Sequence, residues 1–504
     1  MTQTYVAPAR AGRREWTALV VLVLVVLLLA IDGTVLYLAV PSLAEDLAPS
    51  SSQLLWIGDI YSFVLAGLLI TMGNVADRIG RKRLLMIGSA AFGAASVVAA
   101  FSPNAETLIA ARALLGVAGA TLMPSTLSIV RAMFREPAQR TRAIAVWSVG
   151  ATAGAALGPL VGGVLLEHFW WGSVFLINVP IMALALVGGW LLLPESRGMA
   201  GQPIDLVSSL LSILTIVPVV YGVKHWIASG FDNVVAGSVL LGIACGWWFL
   251  RRQARLRVPL LDVSLFRVPA FTGAVCASLL SIFAFLGLLF FFSQYLQLVR
   301  GFGPLDAGLA ELPATLASIA VIGLIGVLVT RLGAGRSIGL GLAVAALGLA
   351  GIGATTQWTS FWGLGGALAV MGLGIGIAMT LSTDAVVSAV PKERAGAASA
   401  VAETAYELGG ALGIAVLGSL HLAMYRSGLE LPAGLDAEET ATVHDSLAYA
   451  VTTIDDPSVI AAAQEAFAAA MQTTSFVAAA ILLAAAVVAW RMIPSMTPVR
   501  ETRR

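Results

Sequence analysis

Fourteen apolar runs, each long enough to cross the ~30 Å hydrocarbon core of a bilayer as a helix, leave this chain few ways to fold. They lie at roughly 17–40, 54–73, 84–101, 106–130, 142–166, 173–193, 206–224, 234–250, 270–297, 306–330, 337–355, 360–386, 395–421 and 468–492. The connectors test that count. With the N-terminus in the cytoplasm, 25 of the 29 lysines and arginines fall on inner connectors or on the two ends. The exceptions are Arg112, inside a run, and Lys224, Arg300 and Arg426, near outer ends. Basic residues gather on the cytoplasmic side of membrane proteins, so the pattern supports an even number of spans with both termini inside. At 59% hydrophobic and 11% charged, the composition excludes a soluble globular protein. The expectation is an all-α polytopic protein of the inner (cytoplasmic) membrane. Arg10, Arg13 and Arg14 precede a run too long for a signal peptide, so the first span is read as uncleaved.

Polar residues inside the runs carry the functional information. Asp32 follows about 15 apolar residues in the first span, where a carboxylate costs about 2.5–3.5 kcal/mol on insertion scales. Such a residue either takes up a proton during a cycle or faces a cation in a wet cavity; the plain alternative is a structural hydrogen bond to a neighbouring helix. Arg112, in the fourth span, sits at similar depth, and the two are expected to meet directly or through water. A guanidinium favours the charged carboxylate and its withdrawal favours protonation, so a movable Arg112 would release and reload a proton. Further acids are Asp59 beside Trp56 and Tyr61, Glu311, Asp384, and Glu403 with Glu407. The last two are four residues apart and share a helix face, next to Tyr406. Asp59 and Asp384 can equally be solvated at the interface. Aromatic rings beside acids suit flat lipophilic cations, each contact contributing about 0.5–2 kcal/mol.

The connectors repeat as well. Gly73-Asn-Val-Ala-Asp77-Arg78-Ile-Gly80-Arg81 is echoed by Gly326-Val-Leu-Val-Thr330-Arg331-Leu-Gly333. Internal repeats are the usual build of secondary carriers. Two related six-helix halves, 1–200 and 263–504, would leave spans 7 and 8 (201–262) as an insert. Asp77 is placed to latch and unlatch a basic partner or a helix N-terminus. In span 5, Gly154, Gly158 and neighbouring small residues mark close helix packing, with Pro159 as a bend. Residues 422–467 hold eight acids and read as a periplasmic loop or small hairpin, with the final span beginning as a helix outside the membrane from Pro457.

These residues carry a resemblance. Asp32-Gly-Thr-Val through Pro41, Gly73 to Arg83, Arg112 to Gly119, Gly150 to Gly163 and Trp171 to Pro180 resemble the 14-helix drug:H+ antiporters of the major facilitator superfamily, in the branch exporting quaternary ammonium compounds. Gly308 to Pro313 and Glu403 to Gly410 extend the resemblance more loosely. Trp170-Trp171-Gly172 departs from it, where the family often has an Arg between aromatics, and so does Thr330, where an Asp would stand. The resemblance implies a major facilitator fold and export of lipophilic cationic drugs and dyes by alternating access. Asp32, Arg112 and Glu311 would couple protons. Asp59, Trp56, Tyr61, Glu403, Tyr406 and Glu407 would bind cargo, and Gly73, Asp77, Arg78, Gly80, Arg81, Gly154, Gly158 and Pro159 would serve gating. An exporter of an endogenous metabolite or lipid on the same scaffold is the alternative, and a non-transporting sensor a weaker one.

No GxxxxGK[ST] loop is present, so energy would come from the proton gradient. The two cysteines, Cys245 and Cys276, lie in apolar runs, and the four histidines have no metal-ligand spacing. No enzymatic activity, cofactor, metal or nucleic-acid partner is expected; the partners are protons, cargo and the bilayer, and the chain is read as a monomer.

Overall fold

The computed structural model describes residues 10–134, 136–195, 205–256, 259, 261–358, 360–390, 395–432 and 435–494, and these contain helices without a strand. The chain begins with α1 (Arg13–Leu47), α2 (Ser51–Ile79), α3 (Arg81–Ala100), α4 (Ala105–Met133) and α5 (Pro137–His168). The short α6 (Ser173–Leu176) and α7 (Asn178–Leu192) together make the next traverse. A hairpin follows, α8 (Leu206–Ser229) and α9 (Asn233–Gln253). Next come α10 (Pro269–Gln294), extended by a π-helical turn at Tyr295–Val299, α11 (Pro304–Ala320), α12 (Ile322–Leu332), α13 (Ala334–Thr355), α14 (Phe361–Ser388) and α15 (Ala395–Ser427). The short α16 (Ala437–Asp445) and α17 (Leu447–Thr453) lead into α18 (Pro457–Met492).

Twelve helices among the described residues are long and apolar enough to cross a membrane, and two bent pairs raise the number to fourteen if each is one span. One bend, of 44°, falls between Ala155 and Leu157 of α5. Its cause is Pro159, whose ring cannot share space with the carbonyl four residues earlier. The other, of 54°, separates α11 from α12.

Helix ends are set by polar caps at the runs' edges. Ser50, Asn104, Asp205, Asp232, Asp436 and Asp456 each accept a first-turn backbone N–H. At Asp232, which is exposed, the Val235 N–H and then the His225 side chain hold the carboxyl below its ordinary range. Both repeated connectors turn at a glycine in a left-handed conformation, Gly80 (φ 109°) and Gly333 (φ 78°). Outward faces stay apolar: Trp190, Leu240, Ile243 and Trp247 are exposed, as lipid contact requires.

One pairing scheme appears twice. α1 packs on α5, α2 on α4, and α3 on α4 and α7; likewise α10 packs on α15, α11 on α14, and α13 on α14 and α18. The two sets meet where α2 lies on α15, α5 on α11, and α1 on α10. α8 packs on α9, α2 and α15.

The acidic connector, read as a loop or small hairpin, contains two short helices, α16 and α17; Asp436 and Glu439 form a reciprocal capping box that starts the first. It also reaches across the molecule: Asp445 accepts hydrogen bonds from the Ser51 N–H (3.1 Å) and hydroxyl (3.0 Å) and pairs with Arg426 (3.3 Å). The end of the bundle carrying α16 and α17 is called the loop side below, and the opposite end the termini side. At 36 residues, α18 is about 54 Å long and exceeds the ~30 Å core, so it stands beyond it.

Candidate functional site

One turn of α2 is held between two buried cations from opposite directions. From α4, Arg112 directs Nη1 to Asp32 Oδ2 of α1 at 3.2 Å, Nε to the Ile57 carbonyl at 3.1 Å and Nη2 to the Gly58 carbonyl at 3.5 Å. Its guanidinium lies 4.9 Å from the centre of the Tyr61 ring. Arg112 and Asp32 are each 1% exposed, so the contact is direct and buried. From α8, Lys224 places Nζ 2.7 Å from Asp59 Oδ2 and 3.9 Å from the centre of the Trp56 ring.

Asp32 has a third partner. Asn178, the first residue of α7, donates to Asp32 Oδ1 at 2.9 Å and lies 3.0 Å from Ser96 Oγ of α3. The carboxylate is thus fixed by α1, α4 and α7 together.

Three acids remain uncompensated. Among the described residues no basic side chain pairs with Glu311, Glu403 or Glu407. Glu311, 4% exposed, lines a cavity of about 760 Å³, mouth included. The cavity is walled by Thr34 of α1 and Pro159 of α5 on one side, and by Phe285, Met371 and Tyr406 of α10, α14 and α15 on the other. It therefore spans both helix sets. Glu407 faces Ser62 of α2 across the seam, and Glu403 sits half-buried one turn earlier on α15. Asp59, Trp56 and Tyr61, expected to bind cargo, do not line this cavity: ion-pair and cation–π contacts turn them toward Lys224 and Arg112. Asp384 is exposed near the end of α14.

A Major Facilitator Superfamily model matches residues 22–414. The chain belongs to that superfamily. Facilitators are membrane transporters, so this chain is a transporter of the cell membrane and not an enzyme. It is 47% identical over 448 residues to the multidrug efflux pump LfrA of Mycolicibacterium smegmatis, covering 89% of both chains. It is 40% identical to the methyl viologen resistance protein SmvA of Salmonella typhimurium, covering 87% of this chain and 89% of that one. Its fold resembles the crystal structure of a bacterial homologue of the human lysosomal transporter Spinster, with TM-score 0.65 at 18% identity over 95% of this chain and 98% of that one.

In this facilitator the glycines of α5 form a ladder against α1. A Cβ on Gly150 would meet Val23, on Gly154 the Leu27 carbonyl and Ala30, on Gly158 Thr34, and on Gly162 Val35. The other face of α5 meets α11, where Gly308 lies on the Pro159 carbonyl. At the α2–α3 turn, Gly73 packs toward Pro124, Arg78 is exposed, and Arg81 donates to the Ser128 carbonyl at 3.4 Å. Glu195 lies against Gly80. The side chain of Asp77 lies outside the described residues. In the second connector the Thr330 hydroxyl donates back to Gly326 and Val327 of its own helix.

Sequence reasoning did not pick out two side chains that complete this arrangement, Lys224 and Asn178. Each was visible as a polar residue, one at the end of an apolar run and one inside a run, with nothing local to name its partner.

Arg112→Ala would leave Asp32 buried beside no cation and strand the Ile57 and Gly58 carbonyls. Breaking a buried pair from one side costs about 3–5 kcal/mol. The variant is expected to melt well below the wild type in detergent, and its transport is expected to show a displaced pH profile. An unchanged profile in folded protein would make Arg112 purely structural.

Proposed function

We propose that this transporter is a proton-coupled antiporter exporting lipophilic cations, including dyes and quaternary ammonium compounds, by alternating access. The observation that carries the reading is the cavity between the two helix sets, which holds Glu311 and the Tyr406 ring and no compensating base among the described residues. A lipophilic cation entering it would meet a carboxylate and an aromatic face, and its departure would leave the acid to a proton. The names of the relatives support this: LfrA is a multidrug efflux pump, and methyl viologen, to which SmvA gives resistance, is an organic dication.

Asp32 and Arg112 supply the coupling in this scheme. Protonation of Asp32 removes the charge that holds Arg112 and loosens α1 from α4 and α7. The helix sets 1–200 and 263–504 move as two halves, with 201–262 as an insert. The loop side faces outward and both termini lie in the cytoplasm. Contacts between the sets gather on the loop side, where Gly163 meets Pro304 and Leu305, and Gly418 meets Leu55. Exchange of a monocation for one proton would be driven by about 1.4 kcal/mol per pH unit, and each further proton would add about 2.3 kcal/mol per 100 mV.

The test is ethidium efflux from energised cells and reconstituted vesicles, with and without a protonophore. Uphill efflux that the protonophore stops is the expected result. A well-expressed wild type that moves neither ethidium nor methyl viologen would overturn the reading in favour of a metabolite or lipid exporter.

A further inference from the structure

The scheme above gives no role to the buried Lys224–Asp59 ion pair, and its cation sits on the helix that lies over the seam between the two sets. α8 shares a small apolar core with both seam helices: Phe63 of α2, Val220 of α8, and Ala411 and Ala415 of α15. Its polar contacts across this seam go to α2 among the described residues. Ser209 and Thr71 hydroxyls are 2.5 Å apart, the Ser212 hydroxyl donates to the Gly67 carbonyl at 3.0 Å, and Lys224 meets Asp59. A helix held by hydrogen bonds on one side and by smooth apolar contact on the other can travel with α2 while α15 slides past.

The two buried cations are held differently. Arg112 spends its donors on a carboxylate and two carbonyls, which locks it. Lys224, 3% exposed, has the Asp59 carboxylate and the face of Trp56, and no further acceptor in reach among the described residues. An ammonium carries three donors, so its environment is lean in acceptors. A carboxylate plus an aromatic face is also the environment that recognises an organic cation.

We propose that Asp59 and Trp56 form a second cation site whose resident ligand is the Lys224 ammonium, and that Lys224 thereby sets the charge selectivity of export. This rests on the reading that the cargo is a lipophilic cation. With Lys224 in place Asp59 is neutralised, and the acids left without a basic partner among the described residues are Glu311, which lines the cavity, and Glu403 and Glu407 on α15. Without it Asp59 becomes a fourth free acid beside the seam, and a dication gains more from that charge than a monocation does.

The experiment measures binding of methyl viologen and of ethidium to the full-length protein in detergent, for wild type, Lys224→Met and the double variant Asp59→Asn/Lys224→Met. Lys224→Met is expected to raise the affinity for the dication relative to the monocation about tenfold, the size of one extra unit charge acting over ~10 Å at an effective dielectric of ~20. The double variant returns the ratio to the wild-type value. An unchanged ratio in folded Lys224→Met, or a rise that persists in the double variant, overturns the proposal. Should Lys224→Met fail to fold, Asp59→Asn carries the test from the other side. There the unopposed ammonium lowers the dication-to-monocation ratio, and an unchanged ratio overturns the proposal. A wild type that exports ethidium under proton drive while these ratios stay fixed removes this inference alone; a wild type that exports no cation removes the antiporter reading first.

Discussion

Asp32→Asn is expected to reduce ethidium export to the level of protonophore-treated wild type, while the protein still accumulates in the membrane. The substitution changes one atom and keeps the shape of the side chain, so α1 still seats against α4 and α7. Asn178 retains an acceptor, and Arg112 keeps the Ile57 and Gly58 carbonyls. What disappears is the capacity to change charge. A neutral amide can neither release a proton nor pull Arg112 back after release, so the cycle loses its coupling step. Some stability goes too, because Arg112 stays buried with less compensation. Export rate and monodispersity must therefore be measured on the same preparation. Full export by Asp32→Asn would place the coupling elsewhere, with Glu311 the next acid to neutralise.

The residues alone disclosed this pair because a bilayer leaves a buried charge few options. An Asp and an Arg in separate apolar runs at matching depth relieve one another or remain very costly. The same constraint makes the fourteen runs legible, since lipid fixes their length. Lys224 was illegible for the opposite reason. It stands near the end of its run, where a lysine normally extends its stem along apolar surface and leaves its ammonium in water; only packing of α8 onto α2 decides that it turns inward. Asn178 is similar: an asparagine at a helix start has ample local use, and its bond to Asp32 depends on where α7 docks. The acidic connector held its own evidence in the Asp436–Glu439 capping spacing, but proline and glycine around it point toward a turn. The placement of Asp59, Trp56 and Tyr61 away from the cavity follows from Arg112 and Lys224, whose directions are tertiary facts.

Gly154→Val is expected to cause the largest loss of stability of any small substitution in the α1–α5 seam, and to stop transport with it. The added Cβ would strike the Leu27 backbone carbonyl and come within 2.8 Å of the Ala30 Cβ. At Gly158 the obstacle is the Thr34 hydroxyl, which can rotate away; at Gly154 it is main chain inside a helix and cannot. Overpacking of this kind costs typically 1–3 kcal/mol and more where backbone must move. The next rung is strained with it, because Gly158 packs one turn on against Thr34 and the Ile31 carbonyl, and parting α1 from α5 at Leu27 pulls on that contact. Asp32 is the residue after Ile31, and its carboxylate is held by two other helices, α4 and α7. A displaced α1 therefore strains the Arg112 and Asn178 contacts together. Gly326→Ala is the matched control: nothing lies within 4 Å of its Cβ position, and alanine is favoured over glycine in a helix by about 1 kcal/mol. Thermal melting in detergent should separate the two, with Gly154→Val well below the wild type and Gly326→Ala level with it or above. If Gly154→Val melts with the wild type, α1 and α5 are not in backbone contact at this rung, and the coupling between span 5 and Asp32 loses its structural basis.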